Sequence, residues 1–415
     1  MSGGGESIGS ESFDGAGRKI VVALLIFVVV TNWYTGRLCV LLFDAGVFLL
    51  AGAWAVERAR RGSAIVRSIV LVPLGGIVVW GLAQLAAGTT DYRFETWVAV
   101  LHWSARFGLF FLALQFYGAP DARSGLRRAM LYFGFALSVV SVVQMFTFEG
   151  KVFWLFPVEE TGFVVGPFLN RDQYACFIEL VLPLAVLEAF RSRRRVAYAA
   201  MAGAMVATVI AGASRAGAVL VTMEAGVLAV AAMWSGGGGA GRKFASVARI
   251  FALAGIFTAV VGWEVLWQRF QDPDPFKYRR EIAISAVEMA RDRPGMGFGL
   301  GTFESAYPAY ALFDIGLTVN HAHNDWLEWA AEGGIPLFCM MAVVALWSVR
   351  AAWRAPWAAG VVVVFVHSLV DFPLQKAALS AWLLVLLGSC AAKEEQERGA
   401  GGVDMRAGRG DSTER

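Results

Sequence analysis

The sequence has little charge: 17% of its 415 residues are Asp, Glu, Lys or Arg, against 57% hydrophobic. Soluble domains carry about a quarter charged residues, so this composition and a mean hydropathy of +0.58 exclude a soluble protein of this length. Cysteine is also sparse. Cys39, Cys176, Cys339 and Cys390 are scattered among apolar runs without close pairing or CxxC spacing, and they read as small buried hydrophobes. Segments of alternating polarity are missing, which excludes a transmembrane β-barrel and leaves helices, which satisfy their own backbone in lipid. No internal repeat, soluble second domain or small-residue cleavage site after the first apolar run is present. The net charge of +3 is the sum of loop arginine clusters, so it reports topology and implies no nucleic-acid partner.

What is present is a series of roughly twelve apolar runs near the length that crosses a bilayer. They lie at 19–34, 38–56, 64–87, 96–117, 127–147, 172–190, 196–212, 217–234, 246–263, 325–349, 357–371 and 377–392. They predict an all-α integral membrane protein with a polytopic domain over 18–392, flanked by unstructured polar ends at 1–17 and 393–415. Basic clusters set the orientation. Arg58/Arg60/Arg61, Arg123/Arg127/Arg128, Arg191/Arg193/Arg194/Arg195, Arg242/Lys243 and Arg350/Arg354 all fall on one face if every run spans, and the positive-inside rule makes that face cytoplasmic. Gly236 to Gly241 then reads as a flexible cytoplasmic connector. The long polar interval 264–322 and Ser214-Arg215 fall on the exterior face.

Chemistry-bearing residues gather on that exterior face. A helix is expected from Lys277 through Arg279 and Arg280, with Ile282, Ile284, Ala286, Val287 and Ala290 on one apolar side lying on the membrane surface. It ends at Arg293-Pro294-Gly295. Gly297, Gly299 and Gly301 follow as a tight turn, which lacks the preceding strand of a dinucleotide fingerprint. Arg215 interrupts two apolar stretches, a costly placement that calls for an anionic ligand or an ion pair with Glu179 or Glu224. Arg106 poses the same question and reads as a structural pairing. At the start of the next run, Asn170 caps a helix and Arg171 adds a cation on the same face.

The interval closes in Asn320 to Pro336, which holds two of the four histidines of the chain, His321 and His323. Asn324 follows. Spacing by three and four places Asp325, Glu328 and Glu332 on one face of the helix that begins there. A metal could be held by the H-x-H pair with carboxylate help, but the third-ligand spacing of zinc motifs is absent. The other readings of His323 are a helix-start residue or an acid, base or hydrogen-bond donor oriented by a carboxylate, Glu332 or Asp325. Asp371, at the exterior end of the eleventh run, can pair with an exterior arginine.

Four pieces in combination carry a resemblance: Gly166-Pro167-Phe168-Leu169-Asn170-Arg171-Asp172-Gln173, Ser214-Arg215-Ala216-Gly217, Arg279/Arg280 to Gly301-Thr302-Phe303, and His321-Ala322-His323-Asn324 through Gly334. Over about residues 160 to 375 the chain resembles the O-antigen ligase and polymerase family of bacterial membrane glycosyltransferases. The ligase pattern is His, then Asn, Ser or Gln, nine residues and GxxG; here the last glycine is Leu337, which leans from ligase toward polymerase. The resemblance implies a GT-C-like fold of about twelve spans in the inner membrane, with the active site facing the periplasm. It implies an inverting, metal-independent enzyme without cofactors that moves a glycan from undecaprenyl diphosphate to an acceptor hydroxyl on a glycan or lipid. Carried over residue by residue are His323, Arg215 and either Arg279 or Arg280; the expected catalytic set is His323, Arg215 and Arg280, with Arg279, Arg171, Asn324, His321 and Glu332 as candidates for binding substrate. The rival class is a polytopic transporter or flippase of lipid-linked glycans, which predicts a two-fold repeat and paired broken helices. A structural scaffold would leave the cost of Arg215 unexplained.

Overall fold

The computed structural model describes residues 4–62, 64–158, 164–234, 239–276, 278–312, 316 and 318–410, with side chains described from 13 to 399 within those bounds. In chain order the helices are α1 (Gly4–Val30), α2 (Leu38–Arg61), α3 (Leu71–Ala87), α4 (Arg93–Phe116), α5 (Pro120–Phe146), α6 (Arg171–Arg191), α7 (Arg195–Ala211) and α8 (Arg215–Trp234). They continue as α9 (Ala240–Val261), α10 (Glu264–Phe270), α11 (Arg279–Asp292), α12 (Phe303–Ala306), α13 (Asp325–Arg354), α14 (Ala359–His367) and α15 (Ala377–Gly410). A two-residue antiparallel pairing, β1 (Lys151–Val152) with β2 (Phe156–Pro157), joins α5 to α6.

Each apolar run expected from the sequence contains a helix, although 19–34, 64–87 and 357–371 are helical only in part. Among the described residues eight helices, α2, α4, α5, α6, α8, α9, α13 and α15, are long and apolar enough to cross a membrane, while α3, α7 and Pro356–His367 are shorter. Two helices form the centre. The apolar windows of α6 and α15 are 89% buried, and stretches such as Leu180 to Val186 and Leu383 to Leu387 are apolar all round, which suits a position enclosed by other helices. Around them, Leu49, Val260 and Leu346 stand 72 to 78% exposed, part of an apolar outer surface far larger than a soluble protein shows. The molecule is a multi-pass membrane protein.

The ends differ from expectation. Residues 4–17 belong to α1 and 393–410 to α15, so segments expected to be unstructured extend helices already nucleated by apolar packing. In the second case ion pairs at helical spacing help, Lys393 with Glu397 and Arg398 with Glu394 and Glu395. Lys277 and Gly236 to Gly238 lie outside the described residues.

The basic clusters meet at one end of the bundle. Arg350 bonds Glu394 at 2.9 Å, Arg354 bonds Glu397 at 2.6 Å, Arg123 reaches Gln396 at 2.9 Å, and Arg127 lies over the Trp357 ring. The opposite end carries the segment after α9. There Ile282, Ala286, Met289, Phe298, Phe303 and Tyr307 form a separate small core with Ala322 and Ala331 of α13. The buried stripe of α11 is thus Ile282, Ser285, Ala286 and Met289, whereas Ile284 is exposed.

The glycine turn is a docking device. Gly297, Gly299 and Gly301 all have positive φ, and the Phe298 and Gly299 amides donate to the Ala331 and Glu332 carbonyls at 3.0 and 2.9 Å. Buried Gln84 of α3 grips the same turn: its amide donates to the Met296 and Glu332 carbonyls, and its oxygen accepts from the Leu300 amide. α13 kinks directly beneath, at Gly334 with φ 63° and ψ −164°, where the freed Ile335 amide donates to the Pro294 carbonyl at 2.8 Å. Leu337, the departure from the ligase pattern, is fully buried against the space that Gly333 leaves empty.

A Cβ on Gly334 would meet the Pro294 and Gly295 carbonyl oxygens at 2.4 and 2.6 Å. Gly334→Ala combines that collision with a disfavoured backbone, and a destabilisation of at least about 2 kcal/mol is expected in reversible unfolding of the purified protein. An unchanged unfolding curve would show that the kink does not lock the segment after α9.

Candidate functional site

The site is assembled from helix starts and the short connections that meet them. At α6 the Asn170 side chain accepts from the Asp172 amide at 2.8 Å, the expected cap. Asp172, one residue inside, is turned to its neighbours. One carboxylate oxygen accepts from the Ser214 hydroxyl at 2.6 Å, and the other accepts from Arg279 Nη2 at 3.0 Å. Ser214 also accepts from the Gly217 amide at 3.1 Å, so the Ser214 to Gly217 turn that starts α8 is tied to the start of α6.

Arg215 points outward from that turn. Its two terminal nitrogens donate to the backbone carbonyls of Arg269 (3.1 Å) and Pro275 (2.5 Å), and Arg269 returns a bond to the Ala213 carbonyl. Neither carboxylate expected from the sequence pairs with it. Glu179 instead bonds His367 at 2.7 Å within the bundle, and Glu224 is buried with no hydrogen-bond partner among the described residues. Arg106 likewise has no carboxylate partner among the described residues; it donates to the Ser380 hydroxyl and the Gln375 carbonyl and stacks on Trp103.

Arg279 is the junction. Besides Asp172 it donates to the Val370 carbonyl at 2.9 Å, next to Asp371, whose carboxylate lies 3.5 Å from His323 Nδ1. The connection after α14 is laced to the start of α13. Asn324 caps α13 through the Leu327 amide while its own amide donates to the Leu369 carbonyl, and Asp325 accepts from the Leu374 amide. His323 itself sits at φ 49°, a left-handed conformation rare outside glycine and asparagine and often found at functional positions.

Expectations from sequence are partly redistributed. Asp325, Glu328 and Glu332 do share one buried face of α13, but Glu332 does not reach His323. It accepts from the Phe303 amide and supports the glycine turn; Asp371 is the carboxylate beside the histidine. His321 goes to Glu328 at 2.8 Å and stacks on Phe372, so the two histidines face different carboxylates. Arg280 bonds exposed Asp274, away from Asp172. For a cation, the group close enough among the described residues is Cys176, Glu179 and His367, whose ligand atoms lie within 4.8 Å of one another. The His367–Glu179 hydrogen bond uses His367 Nδ1 and one Glu179 oxygen.

Three hollows surround Arg279. A polar chamber of about 750 Å³ is lined by Arg106, Arg171, Arg269, Arg279 and Lys376, with Asp172 as the acidic residue of its wall. A groove of about 490 Å³ is mostly apolar, formed by Val219, Leu220, Phe270, Phe276, Val366 and Leu369 with Arg215, Arg269 and Arg279. A smaller hollow of about 320 Å³ holds His323, Asn324, Arg279 and Arg280. Burial, and then the neighbouring Arg215, lowers the Arg269 pKa; burial also lowers that of Lys376, against the opposing pull of Glu328, Asp371 and Asp325.

This constellation spans both sides of the segment that matches a known family. Residues 178–342 match the family model of the O-antigen ligases. The match covers less than half of the chain but includes Arg215, Arg279 and His323, and it supports assignment to the O-antigen ligase and polymerase family. None of the curated proteins matches the chain. Asp172 and Asp371, which hold Arg279 and face His323, lie just outside the O-antigen ligase match. Arg269 and Lys376 were not singled out from the sequence; a lone Arg in a short amphipathic helix and a lone Lys after Pro373 carry no motif, and only the fold brings them together.

Left-handed φ costs a non-glycine residue about 1 kcal/mol or more. His323→Gly is therefore expected to unfold at a temperature no lower than that of the parent, and above that of His323→Ala. Equal melting of the two variants would remove strain from the description of this residue.

Proposed function

We propose that this protein moves a glycan from an undecaprenyl-diphosphate donor to an acceptor hydroxyl at the exterior end of the bundle, as a polymerase or ligase of a surface polysaccharide of O-antigen type. The observation that carries the reading is the position of Arg279, shared by a polar chamber, an apolar groove and the hollow that holds His323. A polyprenyl diphosphate is an apolar chain ending in two phosphates and a sugar. The groove suits its tail, and the chamber suits the glycan. Arg279 and Arg269, which face both, suit the phosphates between, because guanidinium forks match phosphate oxygens and keep their charge.

In this reading the acceptor oxygen attacks the anomeric carbon from the side opposite the diphosphate, which inverts that centre. The bond from carbon to phosphate oxygen breaks, its electron pair leaves on the diphosphate, and the acceptor proton passes to His323. Asp371, 3.5 Å from the ring, offsets the charge it gains. Fixed arginines supply the cationic stabilisation of the leaving group, so the step requires no metal. Arg215 is a positioning residue: through the Arg269 and Pro275 carbonyls it fixes the strand of chain that presents Arg269 and leads to Arg279. The same proposal places the basic end in the cytoplasm and the site at the periplasmic face of the inner membrane, with twelve spans.

The test is transfer from a lipid-linked oligosaccharide by the purified protein in lipid. His323→Ala and Arg279→Gln should each reduce the rate by roughly a hundredfold or more. Arg280→Gln, which loses a surface contact to Asp274, should stay within a few-fold of the parent. Wild-type rates in folded, correctly inserted His323→Ala would overturn the proposal.

A further inference from the structure

The polar chamber holds more positive charge than one diphosphate accounts for. Arg269 and Arg279 line both the chamber and the apolar groove, and they stand where a lipid-linked diphosphate would lie. Arg106 and Lys376 line the chamber alone. Among the described residues neither has a carboxylate within 4.0 Å. Arg106 is 6% exposed and bonds only to a hydroxyl and a carbonyl, and the Lys376 ammonium lies 5.1 Å from the Phe372 ring centre.

The acids behind this part of the wall act on the two cations only from beyond contact distance. Asp44 is paired with His102, Glu328 holds His321 and the Ala322 amide, Asp325 takes the Leu374 amide, and Asp371 stands beside His323. A shielded cation with no carboxylate in contact is costly, and a substrate anion is the partner that relieves it. The chamber is also lined by side-chain amides, Asn32, Gln173, Asn320 and Gln375, which match sugar hydroxyls.

We infer that this chamber is a second anion subsite, in which Arg106 and Lys376 hold a carboxylate or phosphate ester borne by the glycan or its acceptor, apart from the donor diphosphate. The substrate of this protein is then acidic. The inference rests on the proposed glycan transfer for the identity of the ligand, but its test reads binding and not transfer.

Purified protein in nanodiscs of neutral lipid is titrated with tetragalacturonate, maltotetraose, glucose 6-phosphate, glucose and inorganic diphosphate. An acidic probe should bind roughly 10-fold or more tighter than its neutral counterpart, the worth of one charge-assisted hydrogen bond. Preference confined to tetragalacturonate identifies a sugar carboxylate, and preference confined to glucose 6-phosphate identifies a phosphate ester. Arg106→Gln and Lys376→Gln should abolish the preference while diphosphate binding changes less than threefold, and Lys376→Arg should retain it. Equal binding of acidic and neutral probes, or equal loss of every probe including diphosphate in the variants, overturns the inference. An acid preference that persists while His323→Ala still transfers glycan would overturn the proposed function and leave this subsite standing.

Discussion

The Asp172–Arg279 pair is the contact on which the site end of the bundle depends. It joins the start of α6, one of the two most enclosed helices, to the start of α11, which opens the separate small core. Asp172 also receives Ser214, and Arg279 also holds Val370, so four separate stretches of chain converge on one ion pair. With the carboxylate one tenth exposed and the guanidinium about a third, the pair is shielded enough that removing either partner would strand the other. The geometry also limits what the arginine can do. One terminal nitrogen faces Asp172 and the other Val370, so Arg279 is held in place before any substrate arrives, which is what electrostatic preorganisation requires.

Separation of apolar and polar hollows around that pair follows from helix composition. α8 and α14 present Val219, Leu220 and Val366 to the groove, while the chamber is closed by helix starts and connections where polar side chains are tolerated. An amphiphilic substrate therefore meets a matching boundary. The histidine stands beside this boundary rather than inside either large hollow, lining a smaller one with Arg279 in its wall.

Much of the helical plan was legible in the sequence, because runs such as 217–234 and 377–392 are long and predominantly apolar. His323, Arg215 and the arginine pair at 279 and 280 were singled out by charge and motif spacing, and the fold gathers them around neighbouring hollows. Which of that pair turns inward was not legible, since it depends on Asp172, more than a hundred residues earlier. The role of Glu332 was misassigned for a related reason. Helical spacing correctly put it on one face with Asp325 and Glu328, but only the kink at Gly334 and the returning glycine turn decide what that face meets. Arg106, Arg269 and Lys376 share a wall only after α4, α10 and the α14–α15 connection are folded together, and local pattern has no access to that.

Gln84 gives the segment after α9 a different character from a loop hung on a membrane bundle. A single amide of α3 satisfies Met296, Leu300 and Glu332, so α3 and the glycine turn share hydrogen bonds that neither can replace alone. For protein engineering, the segment from α10 to α12 is not a graftable cassette. Exchange between relatives would have to carry its receptor on α3 with it, and the specificity of such chimaeras would travel with the bundle as much as with the loop.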